Sequence, residues 1–144
     1  MTSLEKAIRI ALDAHTGQKD KSRCEYILHP LRVMLKMDTQ EERLIAILHD
    51  VVEDSEISIQ DLESQGFDRN VLDVVALLTR DKANTPYEDF IRSIGTDPLA
   101  VKIKIAGLED NMNITRISEI GEKDIKRLKR YHWAWHFLKK LNED

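Results

Sequence analysis

Apolar residues recur through most of the chain at intervals of three and four positions, which is the period of an α-helix that buries one face. In the first such segment the apolar set is Leu4, Ala7, Ile8, Ala11 and Leu12. Thr2 and Glu5 have the spacing of a capping box, which predicts the start of this helix, and Thr16-Gly17 predicts its end. Strand-like alternation does not recur along the sequence. The pattern therefore predicts an all-α fold.

Two helices are predicted in the region that follows. The first begins at Pro30, because proline is favoured at the first position of a helix. The second runs from Glu41 to Asp50 and is apolar on nearly all sides, which predicts that it is buried. A short helix is expected from Ser58 to Gly66, and another buried helix over Val71–Leu78.

Start signals that contain proline mark the second half of the chain. Thr85-Pro86 and Thr96-Asp97-Pro98 each place a capping residue before a proline. Long helices are expected from about Pro98 to Ile117 and from about Lys123 to Asn142. The last helix carries Trp135 on an apolar face, which favours core packing. A contact between two copies in a homo-oligomer is the alternative.

Length and composition favour one domain. The 144 residues contain no Gly/Ser-rich linker, no low-complexity tract and no internal repeat, so we expect a single domain over residues 1–144. A chain of this size buries roughly two-thirds of its unfolded surface on folding. The predicted helices should therefore pack as one bundle.

Charge and hydropathy argue against several classes of partner. The 22 lysines and arginines oppose 26 acidic residues, for a net charge of −4, so the chain lacks the basic field that drives binding to nucleic acid. No segment approaches the roughly 18 apolar residues of a membrane span. Glu5 interrupts the N-terminus too early for a secretory signal, and the single Cys24 excludes an intrachain disulfide. We expect a cytoplasmic protein.

The candidate chemistry begins with the adjacent pair His49-Asp50, which ends the predicted buried helix. Neighbouring helical residues point about 100° apart, so both side chains can face one ion at the helix end. His29 can add a third ligand from extended backbone before Pro30. Such a mixed nitrogen and oxygen site suits Mn²⁺, Fe²⁺ or Mg²⁺. A His-Asp pair can also be a surface or capping accident, but here it follows an apolar run, where unpaired charge costs several kcal/mol.

Two further carboxylates follow the pair. Glu53 and Asp54 come four residues after His49 and Asp50, which is one turn farther along a continuing helix. At that position a carboxylate can act as a general acid or base, or can orient a water molecule. We predict that these two residues are catalytic in a hydrolytic reaction.

Four segments carry a resemblance to a known family. They are Ala14–Lys21, Tyr26–Pro30, Leu48–Asp54 and Val101–Asn111. In them, and over nearly the whole chain, the sequence resembles the HD-domain alarmone hydrolases, which are small stand-alone relatives of the hydrolase half of Rel/SpoT-type enzymes. The resemblance implies an all-α domain that removes pyrophosphate from the 3′ position of guanosine tetra- or pentaphosphate, usually with Mn²⁺.

The resemblance also implies roles for individual residues. It assigns the same metal ligands and the same water-positioning carboxylates as the spacing argument, namely His29, His49 and Asp50 for the metal, and Glu53 and Asp54 for the water. In addition, it implies that Lys21 and Asn111 contact the guanine nucleotide. Taken without the family, Lys19, Lys21 and Arg23 are better explained by a solvated loop.

One position departs from the family pattern. Where the family has an aspartate as the fourth protein ligand, this chain has Gly107. Glycine removes the ligand and costs about 1 kcal/mol in a helix interior relative to alanine. Asp110 lies three residues later, close to the same helix face, and is a possible substitute. A weaker site completed by solvent and a chain that binds nucleotide without turnover are the other outcomes.

The loop before His29 departs as well. Arg23 and Glu25 stand where related proteins tend to have glycine and proline, which predicts a less constrained loop with altered charge. Two alternatives to alarmone hydrolysis therefore stay open. One is an HD phosphohydrolase that acts on another nucleotide, and the other is a non-catalytic module that binds nucleotide through Lys21 and Asn111.

Overall fold

The computed structural model describes residues 1–143, which form nine α-helices around one apolar core. Their bounds are α1 Ser3–His15, α2 Leu28–Leu35, α3 Gln40–Leu48, α4 Val51–Asp54, α5 Ile59–Ser64, α6 Arg69–Leu77, α7 Tyr87–Ile94, α8 Pro98–Asn111 and α9 Glu122–Asn142. A single turn of 3₁₀-helix, Ile114–Arg116, lies between α8 and α9. No strand occurs within these residues. Lys19 and Glu25 form an isolated antiparallel β-bridge. The all-α prediction is confirmed.

Helix α3 lies at the centre of the bundle. It packs against α1, α2, α6 and α8, and its last five residues, Leu44–Leu48, are all buried. Each fully buried Leu or Ile contributes roughly 1.5–3 kcal/mol relative to an exposed side chain. Because α3 is held on several sides, the residues at its C-terminal end have a fixed position.

Several of the predicted helix starts are confirmed. Thr2 with Glu5 and Ser58 with Asp61 form capping boxes, and the Asp97 side chain accepts hydrogen bonds from the backbone N–H groups of Leu99 and Ala100. These bonds satisfy amides that have no partner inside the helix. The prediction for Thr85 was wrong by one residue, since Pro86 is the cap of α7 and no side chain caps this helix.

The buried helix predicted from Glu41 to Asp50 is shorter than expected. Helix α3 ends at Leu48, His49 and Asp50 form a turn, and α4 continues the chain. Here the carbonyl of Ala46 accepts a hydrogen bond from Nδ1 of the His49 ring at 2.5 Å. In a continuing helix this carbonyl would accept from the backbone N–H of Asp50. The His49 ring takes that place, and the regular backbone hydrogen bonds of α3 stop here.

The expected position of His29 in extended backbone was also wrong. His29 lies in the first turn of α2, which begins two residues before Pro30. Proline is tolerated there because the first-turn amides have no partner within the helix. The long helix expected to reach Ile117 ends at Asn111. On α1, Leu12 is 51% exposed and does not belong to the core.

Candidate active site

Three side chains from two parts of the fold meet beside the end of α3. His29 comes from α2, while His49 and Asp50 come from the turn between α3 and α4. Asp50 Oδ2 lies 3.2 Å from His49 Nε2 and 3.6 Å from His29 Nε2. One ligand atom from each residue lies within 4.8 Å of the others. The structure thus brings together the three residues that the sequence proposed as ligands.

The hydrogen bonds on the far side of each ring fix which nitrogen faces the cluster. His29 Nδ1 lies 2.7 Å from a carboxylate oxygen of Asp110, and His49 Nδ1 lies 2.5 Å from the carbonyl of Ala46. Both partners are pure acceptors, so each Nδ1 carries the proton. In the neutral rings, both Nε2 lone pairs are then free to bind an ion. Metal-bound histidines in proteins are oriented in the same way.

Asp50 is held as a carboxylate. Burial alone would raise its pKa, but the imidazoles of His49 and His29 and the hydroxyl of Tyr26 hold the pKa well below its usual range. The Tyr26 hydroxyl donates a hydrogen bond of 2.7 Å to Oδ2, and burial together with this carboxylate raises the pKa of Tyr26. The sequence motif contained Tyr26, but the sequence did not indicate that it would position Asp50.

The donor set fits a divalent metal ion. The donors are two neutral imidazole nitrogens and one carboxylate oxygen. The nitrogens lie 3.2 and 3.6 Å from that oxygen, and such separations match ligands that each bind one shared ion at about 2.0–2.2 Å. The three groups are buried or nearly so, and a buried carboxylate needs compensation by a metal or by hydrogen bonds. The arrangement therefore suggests a divalent metal at this cluster.

Gly107 faces the same cluster from the interior of α8. A Cβ atom at this position would lie 4.0 Å from His29 Cε1 and 4.0 Å from His49 Nε2. These are ordinary van der Waals distances, so a Cβ atom at position 107 fits beside both rings without displacing either. Gly107 itself adds no side chain to this side of the cluster.

Asp110 occupies a different place from the one that the sequence suggested. Its carboxylate contacts the ring nitrogen of His29 that points away from Asp50. The same carboxylate accepts two hydrogen bonds from Arg32, of 2.7 and 3.0 Å, and the guanidinium of Arg116 lies 3.5 Å from it. With both oxygens in use, Asp110 is placed to orient His29. These contacts favour orientation over direct ligation by Asp110.

The two carboxylates of α4 differ in their surroundings. Glu53 Oε1 accepts a 2.7 Å hydrogen bond from the backbone N–H of Arg80, and Oε2 lies 3.6 Å from Lys82 Nζ. Glu53 therefore ties the loop after α6 to the site. The Asp54 side chain is half-buried, and burial, followed by the negative charges of Asp50 and Glu53, raises its pKa. A carboxylate with a raised pKa accepts a proton more readily than an ordinary aspartate does.

A cavity of about 220 Å³ opens beside His29. Lys21 and Asn111, the two residues expected to contact nucleotide, both line it. Arg116, Arg127 and Tyr131 contribute to its wall, so residues of α9 also face this space. Arg127 is paired with Asp124, whereas the exposed Lys21 forms no ion pair within residues 1–143. Its ammonium is free to meet an anionic ligand.

The loop that carries Lys21 is organised by its neighbour. One carboxylate oxygen of Asp20 accepts hydrogen bonds from the backbone N–H and hydroxyl of Ser22, both at 2.8 Å, and from the backbone N–H of Cys24 at 2.9 Å. Between them, Arg23 adopts a left-handed backbone with φ of 67°. This conformation explains why glycine suits the position, since other residues enter it at a cost. The sequence did not predict this role for Asp20.

Further side chains around the site were not anticipated. Gln18 donates to the backbone carbonyl of Asp54 at 2.8 Å, and its own amide oxygen lies 2.9 Å from Nδ1 of the buried His15. Lys104 is half-buried one turn before Gly107, and burial lowers its pKa against the opposing effect of Asp50 and Glu53. Lys104 stands in a largely apolar run, which was a signal that could have identified it, whereas Gln18 lies among polar residues and carried no such signal.

Comparison with known proteins places this site in a family context. SpoT, a bifunctional (p)ppGpp synthase/hydrolase of Escherichia coli K12, is 36% identical over 124 residues, which cover 76% of this chain and 17% of SpoT. A guanosine-3′,5′-bis(diphosphate) 3′-pyrophosphohydrolase of Vibrio cholerae is 32% identical over the same shares. A GTP pyrophosphokinase of Streptomyces coelicolor is 31% identical over 81% of this chain and 15% of its own length. The chain thus spans less than a fifth of these curated relatives.

A solved structure shares the fold. It belongs to a metazoan orthologue of SpoT, described as hydrolysing ppGpp, and it superposes with a TM-score of 0.81 over 96% of this chain and 86% of that one, at 23% identity. No protein-family model matches the chain. In the described part of the chain, no helix is both long enough and apolar enough to cross a membrane. The sequence matches make this chain a relative of the hydrolase domain of Rel/SpoT-type proteins.

Proposed function

We propose that this chain hydrolyses guanosine 3′,5′-bis(diphosphate), or the corresponding pentaphosphate, at its 3′-pyrophosphate. The observation that carries the proposal is the cluster of His29, His49 and Asp50, whose two Nε2 atoms face the Asp50 carboxylate next to a basic cavity. Relatives named as 3′-pyrophosphohydrolases support the choice of substrate. We further propose a cytoplasmic location, in keeping with a free nucleotide substrate.

The cavity suits a polyphosphorylated nucleotide. Lys21 has no ion pair within the described residues, while Arg116 and Arg127, which face Asp110 and Asp124, are further guanidinium donors in the wall. Charge-assisted hydrogen bonds from such groups to phosphate oxygens are stronger than neutral ones. Asn111 offers both donors and an acceptor, which can recognise the edge of a base or a ribose hydroxyl. Because His29 lines the same cavity, a bound nucleotide lies within reach of the cluster.

A divalent ion at the cluster would supply Lewis-acid polarisation of a phosphoryl oxygen and would lower the pKa of water at the site. We propose Mn²⁺ as this ion, with Fe²⁺ and Mg²⁺ as alternatives, because the donor set mixes imidazole and carboxylate. His29, His49 and Asp50 would hold it. Asp110 and the Ala46 carbonyl orient the two rings, and Tyr26 orients the carboxylate.

The carboxylates of α4 are proposed to handle the proton. Asp54, whose pKa is raised by burial and by its acidic neighbours, accepts a proton from the attacking water. The water oxygen forms a bond to the phosphorus attached to the ribose 3′ oxygen, and the bond between that phosphorus and the 3′ oxygen breaks. The 3′ oxygen takes up the proton that Asp54 accepted and becomes the ribose hydroxyl. The products are GDP, or GTP from the pentaphosphate, and pyrophosphate. Glu53 holds the Arg80 backbone at the edge of the site.

Product analysis tests the substrate assignment. The protein with Mn²⁺ is incubated separately with guanosine tetraphosphate, deoxynucleoside triphosphates and cyclic nucleotides, and the products are separated by chromatography. We expect GDP and pyrophosphate from the first substrate only, and no product from a His49→Ala variant whose circular dichroism is unchanged. Turnover of the other nucleotides alone would replace the proposal with a different phosphohydrolase activity.

A second candidate function is nucleotide binding without turnover. Gly107 favours it, because position 107 carries no side chain and the ion would have one ligand fewer than in the family pattern. In that case Lys21 and Asn111 would still hold the nucleotide in the cavity. Saturable binding of guanosine tetraphosphate, with no pyrophosphate release at any Mn²⁺ concentration, would favour this candidate over hydrolysis.

A further inference from the structure

Two histidines lie next to each other on the outer surface of α9, away from the cluster described above. His132 and His136 are four residues apart on this helix and both are exposed. Their Nε2 atoms are 3.2 Å apart and their ring centroids 4.4 Å apart. The ring of Trp135 stands edge-on to His136 at 4.8 Å. Two imidazole nitrogens therefore converge on one point above the helix surface.

This separation matches that of two nitrogens on one metal ion. For metal–nitrogen bonds of about 2.05 Å, two nitrogens lie about 3.3 Å apart at a tetrahedral angle and about 2.9 Å apart at a right angle. The observed 3.2 Å falls between these values. The pair can equally share one proton while no ion is bound, so the same side-chain positions serve both states.

We propose that His132 and His136 form a second metal site, which takes late first-row divalent ions such as Zn²⁺, Ni²⁺ or Cu²⁺. An all-imidazole pair suits these ions, whose affinity for nitrogen ligands exceeds that of Mn²⁺. Within the described residues, His29, His49 and Asp50 are the group that supplies three close ligands, so water or a dissolved anion completes the coordination on α9. The two sites are expected to differ in ion preference.

The surroundings set the strength and the consequence of binding. Lys129 and Lys140 lie one turn to either side of the pair, and their charges oppose a cation, so we expect weaker binding than at a site with a carboxylate. An ion held by both rings links two successive turns of α9. Arg127 and Tyr131 on the same helix line the cavity, so binding at the pair would also restrain this wall.

Copper titration of the metal-stripped protein tests the proposal. Electron paramagnetic resonance distinguishes copper bound by two imidazoles from copper bound by one. We expect the two-imidazole signal from a His29→Ala/His49→Ala protein without Mn²⁺, because this background offers copper no imidazole at the cluster. The signal should disappear when His132→Ala or His136→Ala is added to this background, with unchanged circular dichroism. A melting temperature that rises with Ni²⁺ in the background protein, and not after either addition, is the second expected result.

Two rearranged variants serve as matched controls. The double variant His132→Ala/Lys140→His restores histidines four residues apart, at positions 136 and 140, and should regain the two-imidazole signal. The double variant His132→Ala/Lys129→His keeps two histidines but places them seven residues apart, which is too far for one ion. All these variants carry His29→Ala/His49→Ala as well, and equal copper affinity and equal spectra in this background protein, its His132→Ala variant and the widely spaced variant would overturn the proposal. None of these outcomes depends on nucleotide hydrolysis.

Discussion

Asp110 accepts a hydrogen bond of 2.7 Å from His29 Nδ1 while it also receives two from the Arg32 guanidinium. The Asp110 carboxylate thereby ties its own helix, α8, to α2. It fixes the protonated nitrogen of His29 on the side away from Asp50, and so leaves Nε2 for an ion. A residue that the sequence suggested as a substitute ligand instead has the contacts of one that orients a ligand.

We expect Asp110→Asn to destabilise the protein by about 3 kcal/mol at neutral pH, because it leaves Arg32 with a weakened buried partner. Burial alone would raise the pKa of Asp110, but the bonds from His29 and Arg32 hold it well below 3.8. A carboxyl group whose pKa is lower in the folded protein stabilises the fold at a pH above its pKa in the unfolded chain. This stabilisation is lost progressively as the pH falls from that value through the lower pKa of the folded state. Urea denaturation of both proteins from pH 7 to pH 3 checks the prediction.

The difference in unfolding free energy between wild type and Asp110→Asn should be largest at pH 7 and should shrink below about pH 4. The same variant should bind Mn²⁺ 10- to 100-fold more weakly, as is typical when the partner of a metal-bound histidine is removed. A free-energy difference that is constant across this pH range would contradict the role given to the ionised carboxylate.

Gly107→Asp should increase Mn²⁺ affinity and the rate of hydrolysis. A Cβ at this position meets His29 and His49 at 4.0 Å, so the new side chain begins beside the cluster at ordinary van der Waals distance. Gly107→Ala is the matched control, since it fills the same space and gains about 1 kcal/mol of helix stability without a ligand. Calorimetric titration with Mn²⁺ separates the two effects, and equal affinity in both variants would refute the idea of a missing ligand.

Tyr26→Phe should weaken the site without disturbing its packing. The ring keeps its contacts with His15 and His29, whose centroids lie 5.0 and 5.7 Å away, but the 2.7 Å hydrogen bond to Asp50 is lost. We expect roughly tenfold lower Mn²⁺ affinity and a stability loss of about 1–2 kcal/mol. Mn²⁺ titration together with thermal unfolding measures both, and unchanged affinity would mean that Asp50 needs no support from Tyr26.

Arg23→Gly should stabilise the loop that carries Lys21. Arg23 has φ of 67°, a conformation that costs a non-glycine residue about 1–2 kcal/mol, part of which is offset by the greater freedom of glycine in the unfolded chain. A net gain of about 0.5–1 kcal/mol is expected from thermal unfolding. Arg23→Ala removes the same charge but keeps a Cβ, and it should bring no such gain. An equal stabilisation in both variants would mean that the gain comes from loss of the Arg23 charge and not from relief of its backbone conformation.

Local patterns predicted the fold well. Helix period and capping residues located most helices, and the His49-Asp50 pair with His29 predicted three side chains that the structure brings together. These signals depend on residues only a few positions apart. They did not place His29 inside a helix, because Pro30 can stand in several positions of a first helical turn. The break of α3 after Leu48 depends on a ring hydrogen bond that helix period does not reveal.

The contacts that orient the site could not be predicted in the same way. His29 and Asp110 are 81 residues apart in sequence, and Tyr26 and Asp50 are 24 apart. Spacing along one helix indicated that Asp110 lies near the face of Gly107, which is correct, but it carries no information about a partner on another helix. The direction of the Asp110 carboxylate follows from the packing of α2 against α8.

The rate of pyrophosphate release from guanosine tetraphosphate, measured on metal-stripped protein as Mn²⁺ is added back, tests the central claim most directly. The account predicts no release without metal, a rate that saturates with Mn²⁺, and no release from His49→Ala at any concentration. Absence of release by the wild type across the whole Mn²⁺ series, with guanosine tetraphosphate bound, would contradict hydrolysis and leave a nucleotide-binding protein.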